Sequence, residues 1–351
     1  MSDFRASRFF LLLLKSVLYF YINRITGSTM NFAEPIRIDE HLTLADRALA
    51  APMAGIMTPV FCLAASRMGL IRNWLTPFIS ITRDSVPSVA ALKKKIAPFR
   101  NDHALMVQLL GHDADSMAET ALRLAECGVQ GVNLNFACPA PMVVKNQNGG
   151  AVLRDPELVF KIASAVVCKA GKYANISAKI RTGFTSWETE MNTIADALAD
   201  GGIRFIICHF RTVREMYEPV ADPLTRLAQL RALLPAETVL FGNGDILSLS
   251  HAQRMASETG CDGIAAGRVL LSNPFLLSKI AQNSDAAATE EEKLYFLRVL
   301  LESAVASGQC RKKWLQHSFI EYVKMCFGKE TSVFRSAVAD PEKFVLEILK
   351  I

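Results

Sequence analysis

The sequence predicts an α/β protein, a parallel TIM (β/α)8 barrel followed by a small C-terminal helical domain. Three observations carry that prediction. Eight short apolar runs occupy residues 48–53, 74–79, 105–110, 129–136, 176–180, 205–208, 239–241 and 263–266. Amphipathic stretches separate them, at 114–127, 156–170, 188–200, 223–234 and 249–259 among others. The alternation then stops after Asn283. Alternating strand and helix signals imply a parallel sheet with helices outside it. Eight such units in about 250 residues fit a closed barrel better than an open sheet.

Residues 1–29 form an N-terminal extension. Residues 9–22 are strongly apolar, with Arg5 and Arg8 before them and Lys15 inside. The run has the make-up of a signal-peptide apolar region. It is shorter and more interrupted than the ~20 apolar residues of a spanning helix. The reading that results is a non-native or disordered extension, with translation starting at Met30. Residues 30–283 then hold the barrel. Asp113 is placed to cap the helix that ends near Gly128, and Asp155-Pro156 reads as a cap followed by proline at the first helical position. Gly201-Gly202 and Gly260 follow helix ends, where left-handed backbone is common. Residues 284–289 read as a linker. From Glu290 to the C-terminus Leu294, Leu297, Leu300 and Leu301 recur at helical spacing, and Glu290–Glu292 place negative charge at a helix start.

Composition narrows the class. Hydrophobic residues make up 51% of the 351 and charged residues 21%, enough for a large core. The net charge of +5 neither requires nor excludes a nucleic-acid partner. The eight cysteines include no C-x-x-C pair and no neighbouring histidine cluster, which argues against a metal site or a disulfide framework. Scattered cysteines in a chain of this length point to a reducing, cytoplasmic setting.

In a barrel of this kind the chemistry sits where the strands end. Strand one ends in Ala51-Pro52-Met53-Ala54-Gly55, and strand three carries Gln108. Strand four ends in Asn133-Leu134-Asn135-Phe136-Ala137-Cys138-Pro139, and strand five carries Lys179-Ile180-Arg181-Thr182-Gly183. Strands six, seven and eight end in His209-Phe210-Arg211-Thr212, Gly242-Asn243-Gly244-Asp245 and Gly267-Arg268. Singly, a strand-end Asn or Asp caps a turn and a lone Cys packs a core. Together, seven of eight strands deliver polar or glycine-rich ends to one rim. Barrels commonly bind phosphate on the last two strands, where these glycines and Arg268 sit. Gln108, Asn135, Lys179 and His209 would line a polar slot below. Flavin mononucleotide (FMN) needs such features, donors to its ring carbonyls and a cation near N1, for which Lys179 is suited. No Walker motif is present, and no G-x-G-x-x-G follows a strand.

At this point the motifs resemble those of tRNA-dihydrouridine synthases. The resemblance rests on the strand-end motifs just given, with Val107–Gly111 and the Gly149-Gly150-Ala151-Val152-Leu153 run before Asp155-Pro156. Order and spacing agree from about residue 45 to the C-terminus, and it is their combination that is specific. The resemblance implies an FMN barrel in which Pro52, Met53, Ala54, Gln108, Asn135, Lys179, His209, Asn243, Gly244, Asp245, Gly267 and Arg268 bind the cofactor and Asn135 lies beside both flavin and uracil. It implies NADPH (or NADH) as reductant, hydride addition to C6 of a tRNA uridine, and Cys138 as the acid that protonates C5. A thiol ordinarily keeps its proton at neutral pH, and the target base must leave its stack. It also implies a helical domain at 290–351 that helps hold tRNA, a cytoplasmic monomer, and no stable membrane association. Arg311, Lys312, Lys313, Lys324 and Lys329 are the residues for phosphate contacts, against the alternative of a solvated helix face.

The chain departs from the family pattern at six places. Thr58 stands where an Asp is usual and Cys62 where an Arg is usual; Pro77 replaces a Glu on strand two. Ala137 and Phe210 replace glycines, and a lysine usual after Cys-Pro is replaced near Pro141. The cofactor set survives, so the departures bear on substrate placement and on which uridine is chosen. Two other functions stay open on the sequence: an FMN-dependent reductase of a free pyrimidine or other small substrate, and a non-catalytic tRNA-binding relative.

Overall fold

The computed structural model describes residues 29–53, 57–100 and 103–349. The extension predicted for residues 1–29, except Thr29, and the predicted cofactor ligand Ala54 lie outside the described residues.

A short antiparallel hairpin, Ile36–Arg37 with Thr43–Leu44, precedes an eight-stranded parallel sheet. Its strands are β1 (Ala48–Ala50), β2 (Ile79–Ser80), β3 (Met106–Leu110), β4 (Gly131–Phe136), β5 (Asn175–Arg181), β6 (Phe205–His209), β7 (Val239–Asn243) and β8 (Gly263–Ala266). Each of β3 to β7 is flanked by its neighbours in sequence, and β8 returns to β1. The ring closes through Trp74 and Leu75, which bridge to Ala50 and Met106 just ahead of β2. The predicted strand over 74–79 is therefore split in two. Pro77 sits in the gap and has no N–H to give a ladder.

Helices α1 (Pro59–Arg67), α2 (Val89–Ile96), α3 (Ala114–Glu126), α4 (Pro156–Ala170), α5 (Trp187–Asp200), α6 (Pro223–Leu233), α7 (Leu249–Thr259) and α8 (Leu276–Ala281) alternate with the strands. Their starts follow local chemistry. The Asp113 carboxylate accepts the Ser116 N–H at 3.0 Å and that of Asp155 accepts the Leu158 N–H at 3.2 Å, each satisfying a first-turn donor. Gly260 ends α7 at φ +69°.

The barrel's interior divides by height. Leu49, Leu75, Met106, Phe205, Ile207 and Phe241 form an apolar plug with Leu42 and Leu44 of the hairpin. Towards the strands' carboxyl ends the inward positions turn polar, with Gln108, Asn133, Asn135, Ser177 and Asn243 all buried. A second, larger core lies between the strands and the helices. The C-terminal helices α9 (Glu290–Ala306), α10 (Ile320–Phe327), α11 (Ser332–Ala339) and α12 (Pro341–Ile348) join it. A capping box between Thr289 and Glu292 starts α9, as its acidic first turn suggests. Phe296 of α9 meets Phe61 and Phe275 edge-on, and Tyr322 of α10 stacks on Phe61. Among the described residues no helix is long and apolar enough to cross a membrane.

Candidate active site

The carboxyl ends of the strands surround a cavity of about 820 Å³. Pro52, Met53, Gln108, Asn135, Cys138, Lys179, His209, Asn243, Gly244, Asp245, Gly267 and Arg268 all line it. These are the predicted site residues apart from Ala54. Strand register brings them together. Asn135 on β4 stands beside Lys179 on β5, and Arg181, His209 and Asn243 stand abreast on β5, β6 and β7.

An amide chain orders the floor. Asn135 Nδ2 donates to Gln108 Oε1 at 2.8 Å, Gln108 Nε2 to Asn133 Oδ1 at 2.8 Å, and Asn133 Nδ2 to Ser177 Oγ at 2.9 Å. Those bonds fix the flips of all three amides. The remaining oxygen of Asn135 accepts the backbone N–H groups of Ala137 and Cys138 at 3.1 and 3.0 Å. One side chain thus ties the floor to the loop that bears the thiol.

The same loop is held from two more directions. Arg181, buried beneath it, donates to the carbonyls of Ala137 (3.0 Å), Thr212 (2.8 Å) and Met216 (2.8 Å). Gly150 donates its N–H to the Cys138 carbonyl at 3.0 Å. A Cβ on Gly150 would meet Val213 at 2.5 Å and that carbonyl at 3.1 Å, so only glycine lets the chain pass there. The Gly149-Gly150 pair acts on the thiol's placement without lining the cavity.

Charge is unevenly compensated. Lys179 has no carboxylate partner among the described residues, and burial, helped by the Arg181 charge, brings its ammonium down to about 8. Burial and the charges of Arg181 and Lys179 hold the His209 imidazole well below its usual value, so it is neutral. Its Nδ1 accepts the Arg211 N–H at 3.2 Å, which leaves the ring proton on Nε2 as a donor. Asp245 lies between two cations. Arg211 clasps it with both terminal nitrogens at 3.2 and 2.7 Å, and Arg268 approaches to 3.7 Å. Arg268 also lies 4.1 Å from the Tyr217 ring centre.

These groups suit a flavin nucleotide. Gln108 and the neutral His209 offer polar contacts, and Lys179 is a half-buried cation with no carboxylate partner among the described residues. The Gly244 and Gly267 turns with Arg268 form a basic, backbone-lined end. Among the described residues no cluster of His, Cys, Asp and Glu could hold a metal ion.

The residues at the six departures also have places. Thr58 caps α1 by accepting the Phe61 N–H at 3.2 Å, and its hydroxyl lies 2.9 Å from the Tyr322 hydroxyl. Cys62 is buried in the same contact, where burial pushes its thiol far up. Pro77 and Pro141 line the cavity. Ala137 is buried with its carbonyl on Arg181, and Phe210 is buried against Gly244. The supporting roles of Arg181, Arg211 and the Glu215–Arg226 pair (2.8 Å) were not assigned from sequence. For Arg181 a signal exists: it lies two positions beyond Lys179 on β5, so alternation points it inward too.

A closed parallel barrel with this rim defines an α/β-barrel enzyme, built like TcOYE with pHBA (TM-score 0.57, 11% identity, 75% of this chain and 95% of that one) and morphinone reductase (0.54, 14%, 76% and 93%). Residues 49–341 match the model of dihydrouridine synthase (Dus). The chain belongs to that family, and so to the FMN-dependent oxidoreductases. Among its relatives are two tRNA-dihydrouridine(16) synthases. That of Neisseria meningitidis serogroup B is 30% identical over 70% of this chain and 74% of its own length. That of Pseudomonas putida is 32% identical over 74% and 81%.

Proposed function

We propose that this protein reduces the C5–C6 bond of a uridine in tRNA, with FMN as its resident cofactor and NADPH or NADH as the source of electrons. The observation that carries the proposal is the Cys138 loop. It is tied by Asn135, Arg181 and Gly150 at the mouth of a cavity whose walls fit a flavin. Gln108, Asn135, Lys179 and His209 would hold the ring system. Asn243, Gly244, Gly267 and Arg268 would hold the phosphate, with Asp245 setting Arg268 in place, and Pro52 and Met53 would close one side. When bound, FMN supplies the hydride that adds to C6 of uracil. Lys179 balances the negative charge that reduction leaves near the ring. Cys138 holds a proton at Sγ and delivers it to C5, the general-acid half of the saturation.

The helical region 290–351 supplies the remaining contacts to folded tRNA, read mainly through its backbone. Of the five basic residues singled out there, Lys312 and Lys324 already pair with Glu342 and Glu321 at 3.4 and 2.5 Å. Arg311, Lys313 and Lys329 carry no such pairing among the described residues and are the better phosphate contacts.

The test uses purified protein, FMN, NADPH and tRNA from a strain lacking its own dihydrouridine synthases. Mass spectrometry of the nucleosides is expected to show new dihydrouridine, and nuclease mapping locates it, with position 16 examined first. A flavin-loaded, folded protein that yields none overturns the proposal.

A further inference from the structure

Two large apolar side chains stand exposed on loops at the cavity's end of the barrel. Met142 is 65% exposed and Leu247 57%. Leu247 lines the cavity, and Met142 follows Pro141, which also lines it. They belong to the loops after β4 and β7, three strands apart in a ring of eight and at the same end of the barrel. Isolated exposed hydrophobics are ordinary; two beside one cavity call for a ligand that covers them.

The backbone around each is fixed by its neighbours' contacts. Leu247 follows Asp245, whose backbone is left-handed (φ +48°) and whose carboxylate Arg211 clasps. Ile246 between them is buried, which turns Leu247 outward. Met142 lies on a short helix, Pro141–Lys145, opened by proline and closed where the Asn148 N–H donates to the Val143 carbonyl at 3.0 Å. Lys145, three residues on, is exposed as well, a cation suited to a phosphate beside the same site.

We infer that Met142 and Leu247 are apolar wedges that cover the nucleobases flanking the target uridine once it leaves the stack. The inference rests on the function proposed above. A base that enters the cavity uncovers the faces of both neighbours. Apolar side chains inserted between base steps are a known means of offsetting that exposure.

The experiment measures dihydrouridine formation on unmodified tRNA transcripts by flavin-loaded wild type, Leu247→Ser and Met142→Ser. Each serine variant is expected to lose about tenfold in kcat/KM, mostly through KM, at unchanged flavin content and melting temperature. Leu247→Met and Met142→Leu are expected to restore it. With 2-aminopurine beside the mapped uridine, wild-type binding should raise fluorescence and the serine variants should blunt that rise. Serine variants that match an active wild type overturn the wedge assignment alone. A wild type that forms no dihydrouridine overturns the proposed function and this inference with it.

Discussion

The proposed reaction makes opposite demands on one cavity, a proton delivered from the Cys138 sulfur and a positive charge supplied by Lys179, both of which line it. The thiol's loop is fixed by three tethers, none of which passes through its sulfur. Replacing Cys138 by alanine should therefore leave the floor intact. Flavin content and NADPH oxidation are expected to persist while dihydrouridine formation on tRNA falls by about 10²- to 10⁴-fold, the usual weight of a general acid. An undiminished yield, read by nucleoside mass spectrometry, would remove Cys138 from that role. Lys179 is subject to pH because burial brings its ammonium down to about 8. Below that pH the free protein already carries the cation that an anionic ligand needs. Above it a proton must be taken up on binding, so FMN affinity should fall as pH rises through 8. Fluorescence titration of FMN at pH 7 and pH 9 measures the drop, and Lys179→Met is expected to abolish it. A wild-type affinity equal at both values would show that the ammonium does not meet the cofactor.

At the scale of elements, the ends of β6 and β7 are matched to each other. Gly244 follows β7 at φ +127°, a conformation open to glycine, and a Cβ there would collide with the Phe210 ring that follows β6. Gly244→Ala should destabilise by about 1–3 kcal/mol in urea unfolding. In a Phe210→Ala background the same change should cost about 1 kcal/mol less, because the steric part is relieved while the backbone part remains. Strictly additive costs would mean that the two residues do not meet. This coupling also marks what the sequence discloses. The eight apolar runs, the caps at Asp113 and Asp155 and the rim residues were legible because each depends on local pattern. Thr76-Pro77 spoiled the second run only in three dimensions, since its partners lie on β1 and β3. The grips of Arg211 on Asp245 and of Arg181 on the Ala137 carbonyl span 34 and 44 residues, and no local periodicity reports them. Phe210 read as a departure from a glycine; that it fills the space above Gly244 follows only from the register of β6 on β7.

For the molecule as a whole, the question is whether the helices after residue 290 are a separate unit or part of the barrel's stability. Phe296, Leu297, Leu300 and Leu301 of α9 are almost wholly buried, and their core includes Phe61 and Cys62 of α1 and Phe275 before α8. Polar contacts reinforce the join: Arg67 pairs with Glu302 at 3.1 Å, Lys279 with Glu292 at 2.9 Å, and Thr58 meets Tyr322. Burying one large aliphatic or aromatic side chain is worth about 1.5–3 kcal/mol, while a whole domain is stable by only about 5–15 kcal/mol. Four such side chains, with the barrel face they cover, are thus comparable to the entire margin. A chain of residues 30–283 should accordingly be insoluble or lack a cooperative thermal transition, even though every barrel strand is present. The measurement is melting by near-ultraviolet circular dichroism of the truncated and full chains, with FMN binding as a second readout. A truncated chain that melts cooperatively within about 5 °C of the full one would show the helices to be an independent domain, since a loss of about 3 kcal/mol already shifts a chain of this size by roughly 4–6 °C. Absence of folding would instead mean that the helices proposed above to contact tRNA also complete the barrel's outer core. Thr58 and Cys62 would then belong to that join rather than to the cavity.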